Sequence, residues 1–111
     1  MKSDDRKAAI AAYKERKSPA GIFAVRCAAS GQVWVGQTLD LDKIQNRIWF
    51  MLRLGNHSIR VLQDAWTLHG AAAVTFEPLE QLEDEESPYI RDGLLKERLV
   101  HWRSTLGGLA I

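Results

Sequence analysis

The sequence predicts an α/β (α+β) domain, a small three-stranded and mostly antiparallel sheet flanked by helices in the order α-β-β-α-α-β-α. Three observations carry this. Gly21-Ile22-Phe23-Ala24-Val25-Arg26-Cys27 and Val33-Trp34-Val35-Gly36 are short β-branched and aromatic runs around Ala28-Ala29-Ser30-Gly31-Gln32, the composition of an antiparallel hairpin. Downstream, apolar residues recur at helical spacing and stop at glycines. With 111 residues, 46% of them hydrophobic, and four tryptophans, the chain has material for one core and no room for a second domain.

Asp4 and Asp5 precede Ala8-Ala9-Ile10-Ala11-Ala12-Tyr13, and Lys14, Arg16 and Lys17 follow, so charges sit at the ends a helix dipole favours. This predicts a helix over about 4–17, stopped by Ser18-Pro19, within an N-terminal extension spanning 1–20. The domain proper is expected over 21–106, with 107–111 as a tail. Gly21 opens the first strand and Gly36 closes the second, places where a missing Cβ permits close backbone approach.

Asp40 is a candidate N-cap for a helix ending near Leu54-Gly55, with Leu41, Ile44, Ile48, Met51 and Leu52 on one apolar stripe. Arg47 lies at the stripe's edge, roughly 100° from its centre. Asn56 or Ser58 can cap a second helix, in which Ile59, Leu62, Trp66 and His69 share a face until Gly70. Residues 73–79 read as a third strand, with Pro78 at a sheet edge or exit. Glu80 to Glu86 holds five acids in seven residues and reads as a solvated loop. A last helix from about Tyr89 to Leu106 stripes Leu95, Leu99, Trp102 and Leu106 toward the core.

The lone Cys27 excludes an internal disulfide framework and a cysteine zinc site, and no apolar run reaches the roughly 20 residues of a membrane span. A cytoplasmic protein is the expectation. Residues 1–60 carry 11 Lys+Arg against 5 Asp+Glu, while 61–111 carry 4 against 9. That segregation either sets a positive surface suited to phosphates beside the hairpin or is solvated charge.

The triplets Gly21-Ile22-Phe23 and Trp34-Val35-Gly36 resemble the paired motifs of the GIY-YIG nuclease superfamily, each with one aromatic changed. Gly55-Asn56-His57-Ser58-Ile59, Leu62-Gln63-Asp64-Ala65-Trp66, His69-Gly70 and Val74-Thr75-Phe76-Glu77 extend the resemblance to about Trp102, particularly to phage intron homing endonucleases. The resemblance implies a domain that acts on nucleic acid, DNA before RNA, by phosphodiester hydrolysis with a divalent metal, Mg²⁺ or Mn²⁺. In the family, tyrosines of both triplets, a helical arginine, often a histidine, and a metal-holding glutamate do this work.

Here Phe23 and Trp34 stand at the tyrosine positions, Ile44 and Ile48 at those of the arginine and histidine, and Leu99 at that of the glutamate. The remaining catalytic candidates are Arg47, Trp34 and Glu97, with Glu97 also the candidate metal ligand and Asp92 a second choice. Lys43, Arg53, His57 and Arg60 are candidates for binding nucleic acid, His57 equally a helix cap. Trp34 and Trp49 can stack on unpaired bases or fill the core. Three functions stay open: a metal-dependent nuclease, a binder that does not cut, and a protein-interaction domain keeping only the fold. The nuclease reading requires Arg47 and Glu97 to converge on the hairpin.

Overall fold

The computed structural model describes residues 19–111, so the helix expected over 4–17 lies outside the described residues. β1 (Gly21–Cys27) and β2 (Val33–Thr38) form the antiparallel hairpin, with Phe23 opposite Gly36 and Val25 opposite Trp34. Its turn closes through Cys27 N–H donating to the Gln32 carbonyl (3.0 Å) and Gly31 N–H donating to the Cys27 carbonyl (2.8 Å). β3 (Val74–Gln81) pairs antiparallel with the other edge of β1. The register of that pair shifts between Ile22 and Phe23, where Pro78, which has no N–H to donate, stands opposite Phe23.

The sheet has four strands rather than the expected three. β4 (Leu109–Ala110) pairs parallel to β2 at Trp34 and Val35, giving the order β3-β1-β2-β4. A two-residue strand has no hydrophobic period of its own, and its stretch therefore reads as a tail.

The helices are α1 (Ile44–Leu54), α2 (Arg60–His69) and α3 (Pro88–Leu106), with a short 3₁₀ turn over Ala71–Ala73. α1 starts at Ile44, and Asp40 organises the turn that leads into it. The Asp40 carboxylate accepts the N–H groups of Asp42 and Lys43, each at 3.1 Å, while its carbonyl accepts that of Ile44. α3 starts at Pro88, a residue before the expected Tyr89, with the Ser87 hydroxyl accepting Ile90 N–H and Pro88 in the first turn.

Alternation along β1 sends Phe23, Val25 and Cys27 to one side of the sheet and Ile22 to the other. The first side packs on Ile48 and Leu52 of α1 and on Leu62 and Ala65 of α2. The second side packs on Leu95 of α3, joined by Leu99, Trp102 and Leu106 as the stripe predicts. The sheet is thus the middle layer of three. Ile22, Val25, Trp34 and Val35 are fully buried, each contributing on the order of 1.5–3 kcal/mol of transfer free energy. Aromatic rings link sheet to helices: Phe23 stacks on Phe76 at 5.5 Å, and Trp49 meets Phe76 (6.3 Å) and Trp66 (5.5 Å) edge-on.

Glu80 departs from the solvated loop expected of it. It belongs to β3 and accepts hydrogen bonds from Arg98 Nε (2.8 and 3.0 Å to its two oxygens) and from the Trp102 indole N–H (2.9 Å). Burial favours the neutral carboxyl, but the Trp102 and Arg98 hydrogen bonds, with the Arg98 and His101 charges, outweigh it and hold Glu80 below its ordinary range. The cluster fastens α3 to the β3 edge. No helix of the described residues is long and apolar enough to cross a membrane.

Candidate functional site

The hairpin triplets are packed rather than presented. Gly21, Ile22, Phe23, Val35 and Gly36 are all buried, with Phe23 only 2% exposed. A Cβ on Gly36 would lie 2.5 Å from Ile111 Cγ2 and 2.6 Å from Phe23 Cζ, so this glycine makes room for a phenyl ring and for the chain's last side chain. A Cβ on Gly21 would strike the Glu80 carbonyl oxygen and the Leu41 side chain. Trp34, expected as a catalytic or stacking group, is 0% exposed. It sits between Val25 on β1 and Leu109 on β4, and its indole N–H has no hydrogen-bond partner among the described residues. Its ring lies in the core cluster with Ile48, Leu52 and Leu62, on the side of the sheet that α1 and α2 cover, and is out of reach of a ligand. Trp49 also packs against the core rather than standing free.

The segment after the hairpin that carries most of the resemblance builds a joint between α1 and α2. Gln63 is buried, its side-chain amide donating to the Leu52 carbonyl (3.1 Å) and Thr67 Oγ1 (3.2 Å) while its Oε1 accepts His57 N–H (3.0 Å). The His57 ring accepts the Ile59 N–H at Nδ1 (3.0 Å) in the turn that leads into α2, whose first turn takes no side-chain cap from Asn56, Ser58 or His57. Burial pushes the His57 pKa below 6.5, so the ring is held neutral as an acceptor and leaves only its Nε2 edge for a ligand. His69 is exposed in the last turn of α2.

Arg47 and Glu97 do not converge on the hairpin. Arg47 is exposed on α1, which covers one side of the sheet, and Glu97 is exposed on α3, which covers the other. Leu99, at the family's glutamate position, packs into the α3 core layer, and Glu97 lies roughly 160° around the helix from it. The carboxylates of β3 are engaged elsewhere, Glu77 with Arg26 Nε (3.1 Å) and Glu80 with Arg98, and Asp92 pairs with its neighbour Arg91 (3.3 Å). Among the described residues no three His, Cys, Asp or Glu side chains come together. A hard divalent ion needs a converging carboxylate. The residues present do not supply one beside the hairpin.

What is open is the outer face of the helix pair. Lys43, Arg47, Arg53 and Arg60 are all exposed, and none makes an ion pair or side-chain hydrogen bond among the described residues. α1 contains no acid. On the same face Phe50 is 57% exposed and Leu54 60%, outside both core clusters. Phe50 is not among the residues the sequence singles out, although it falls off the apolar stripe of its helix.

No family model matches the sequence, and neither does any curated protein. Solved structures do. The catalytic domain of homing endonuclease I-TevI aligns with a TM-score of 0.68 at 27% sequence identity, covering 83% of this chain and 97% of that domain. A glutamate-to-alanine mutant of the catalytic domain of intron endonuclease I-TevI aligns with a TM-score of 0.67 at 27% identity, over 80% of this chain and 84% of that one. With the two triplets on adjacent strands and the motif-bearing helix pair behind them, that likeness places the chain, by fold, in the GIY-YIG nuclease superfamily.

Proposed function

We propose that this domain binds nucleic acid through the outer face of α1 and the start of α2, and cuts it weakly or not at all. The observation that carries binding is the set of four exposed cations Lys43, Arg47, Arg53 and Arg60, unpaired among the described residues, at the start of and along a helix pair whose first member lacks acids. Cations free of carboxylate partners can neutralise phosphates and release counterions without first breaking an ion pair. The fold supports the choice of ligand, since its structural neighbours are endonuclease catalytic domains. DNA is the first substrate to test and RNA the second.

Weak or absent cleavage rests on the hairpin. Phe23 has no hydroxyl, the Trp34 indole can neither donate a phenolic proton nor accept one, and both are sealed in the core. No other phenol stands beside the hairpin among the described residues, where the sole tyrosine, Tyr89, is exposed on α3. The test is incubation of the pure protein with labelled single- and double-stranded DNA and RNA, with Mg²⁺, with Mn²⁺ and with chelator. Retention of the probe without products in every condition is expected. Robust cutting that chelator abolishes would overturn the non-cutting reading, and no retention of any probe would overturn binding.

A further inference from the structure

We infer that Phe50 is a base-stacking platform, and that the ligand it selects is single-stranded or locally unpaired nucleic acid. The inference rests on the nucleic-acid reading above and narrows it. Phe50 is three residues after Arg47 and three before Arg53, which places one guanidinium roughly 60° to each side of it around the helix. Lys43 lies one turn before Arg47, and Leu54 one turn after Phe50 extends the apolar strip.

A single exposed apolar side chain is ordinary on any surface. This ring is set apart by its setting, more than half exposed between two cations that have no partners among the described residues, on a helix without an acid. Its neighbour Trp49 turns inward to meet Trp66 and Phe76, so the core is satisfied without Phe50. Charge complementarity selects a polyanion, and the ring selects one with free π-faces. Aromatic stacking between phosphate-binding cations is how single strands are held regardless of sequence. The bases of an intact duplex are stacked on one another, and their faces are out of reach of a ring on a convex helix surface.

The experiment is a fluorescence-anisotropy titration of a short labelled oligothymidylate and of a DNA duplex of the same length, with the wild-type chain, Phe50→Ala, Phe50→Trp and Arg47→Ala. Circular dichroism confirms that each variant folds. The wild type is expected to favour the single strand. Phe50→Ala should weaken single-strand binding about tenfold while leaving duplex affinity within about twofold and the salt slope unchanged, and Phe50→Trp should restore single-strand affinity. Arg47→Ala should lower both affinities and flatten both salt slopes. If the wild type binds but Phe50→Ala leaves the preference for single strand unaltered, the stacking role is wrong and the cationic face survives. If the wild type binds neither probe, the nucleic-acid reading itself fails.

Discussion

The hairpin and the outer face of α1 differ in what their side chains touch. In the hairpin, motif positions from Gly21 to Gly36 are filled by groups that pack: a phenyl ring against a glycine, an indole in the core cluster beneath α1 and α2. On α1 the outward positions hold cations and one aromatic ring that contribute nothing to the core. Burial is greatest in the hairpin triplets, and exposed cations stand on the outer face of α1.

The comparison implies that substitutions should separate into those that cost stability and those that cost binding. The largest stability loss belongs to Trp34→Ala, expected to destabilise the fold by about 3–5 kcal/mol in denaturant titrations, because a large fully buried ring leaves a cavity. Gly36→Ala is next, at about 1–3 kcal/mol, since its methyl must displace Phe23 and Ile111. A stable Trp34→Ala that had lost nucleic-acid binding would reverse the assignment of the hairpin to packing.

Gln63→Ala should cost about 1–3 kcal/mol by stranding the Leu52 carbonyl and the His57 N–H at the joint. Glu80→Gln should cost a similar or smaller amount and change the pH profile. The Glu80 pKa is lower in the folded chain than its ordinary 4.5, so its contribution is present above that value and lost as pH falls through the lower folded pKa. His57, also depressed on folding, withdraws its contribution as pH falls from about 6.5 toward its lower folded pKa. Thermal melts across pH should therefore show stability falling in two acid steps, with Glu80→Gln removing the lower one and His57→Ala the upper one.

How much of this was legible in the sequence follows from the range of each interaction. The hairpin, the apolar stripes of the three described helices and their glycine stops are local periodicities, and they stand where the spacing predicts. β4 was illegible because Leu109 and Ala110 have no pattern and are strand only through β2. Trp34 gives no local sign of its burial, because the α1 and α2 residues that share its core cluster are distant in sequence. Glu80 looked like the start of an acidic loop because its partners Arg98 and Trp102 are 18 and 22 residues away. The face of Arg47 relative to Glu97 depended on which side of the sheet each helix took, a choice that no residue in either helix encodes alone.

The smallest stability effect and the sharpest test meet in Arg47→Glu, Arg53→Glu and Arg60→Glu combined, which touch no core cluster and should shift stability by no more than about 1 kcal/mol. The decisive measurement is the salt dependence of nucleic-acid affinity for the wild type and this variant. The wild type should show log affinity falling steeply with log salt, and the variant should bind more weakly with a slope flattened by about 0.7–0.9 for each phosphate contact removed. Equal affinity and an unchanged slope would contradict the placing of recognition on the outer face of α1 and α2.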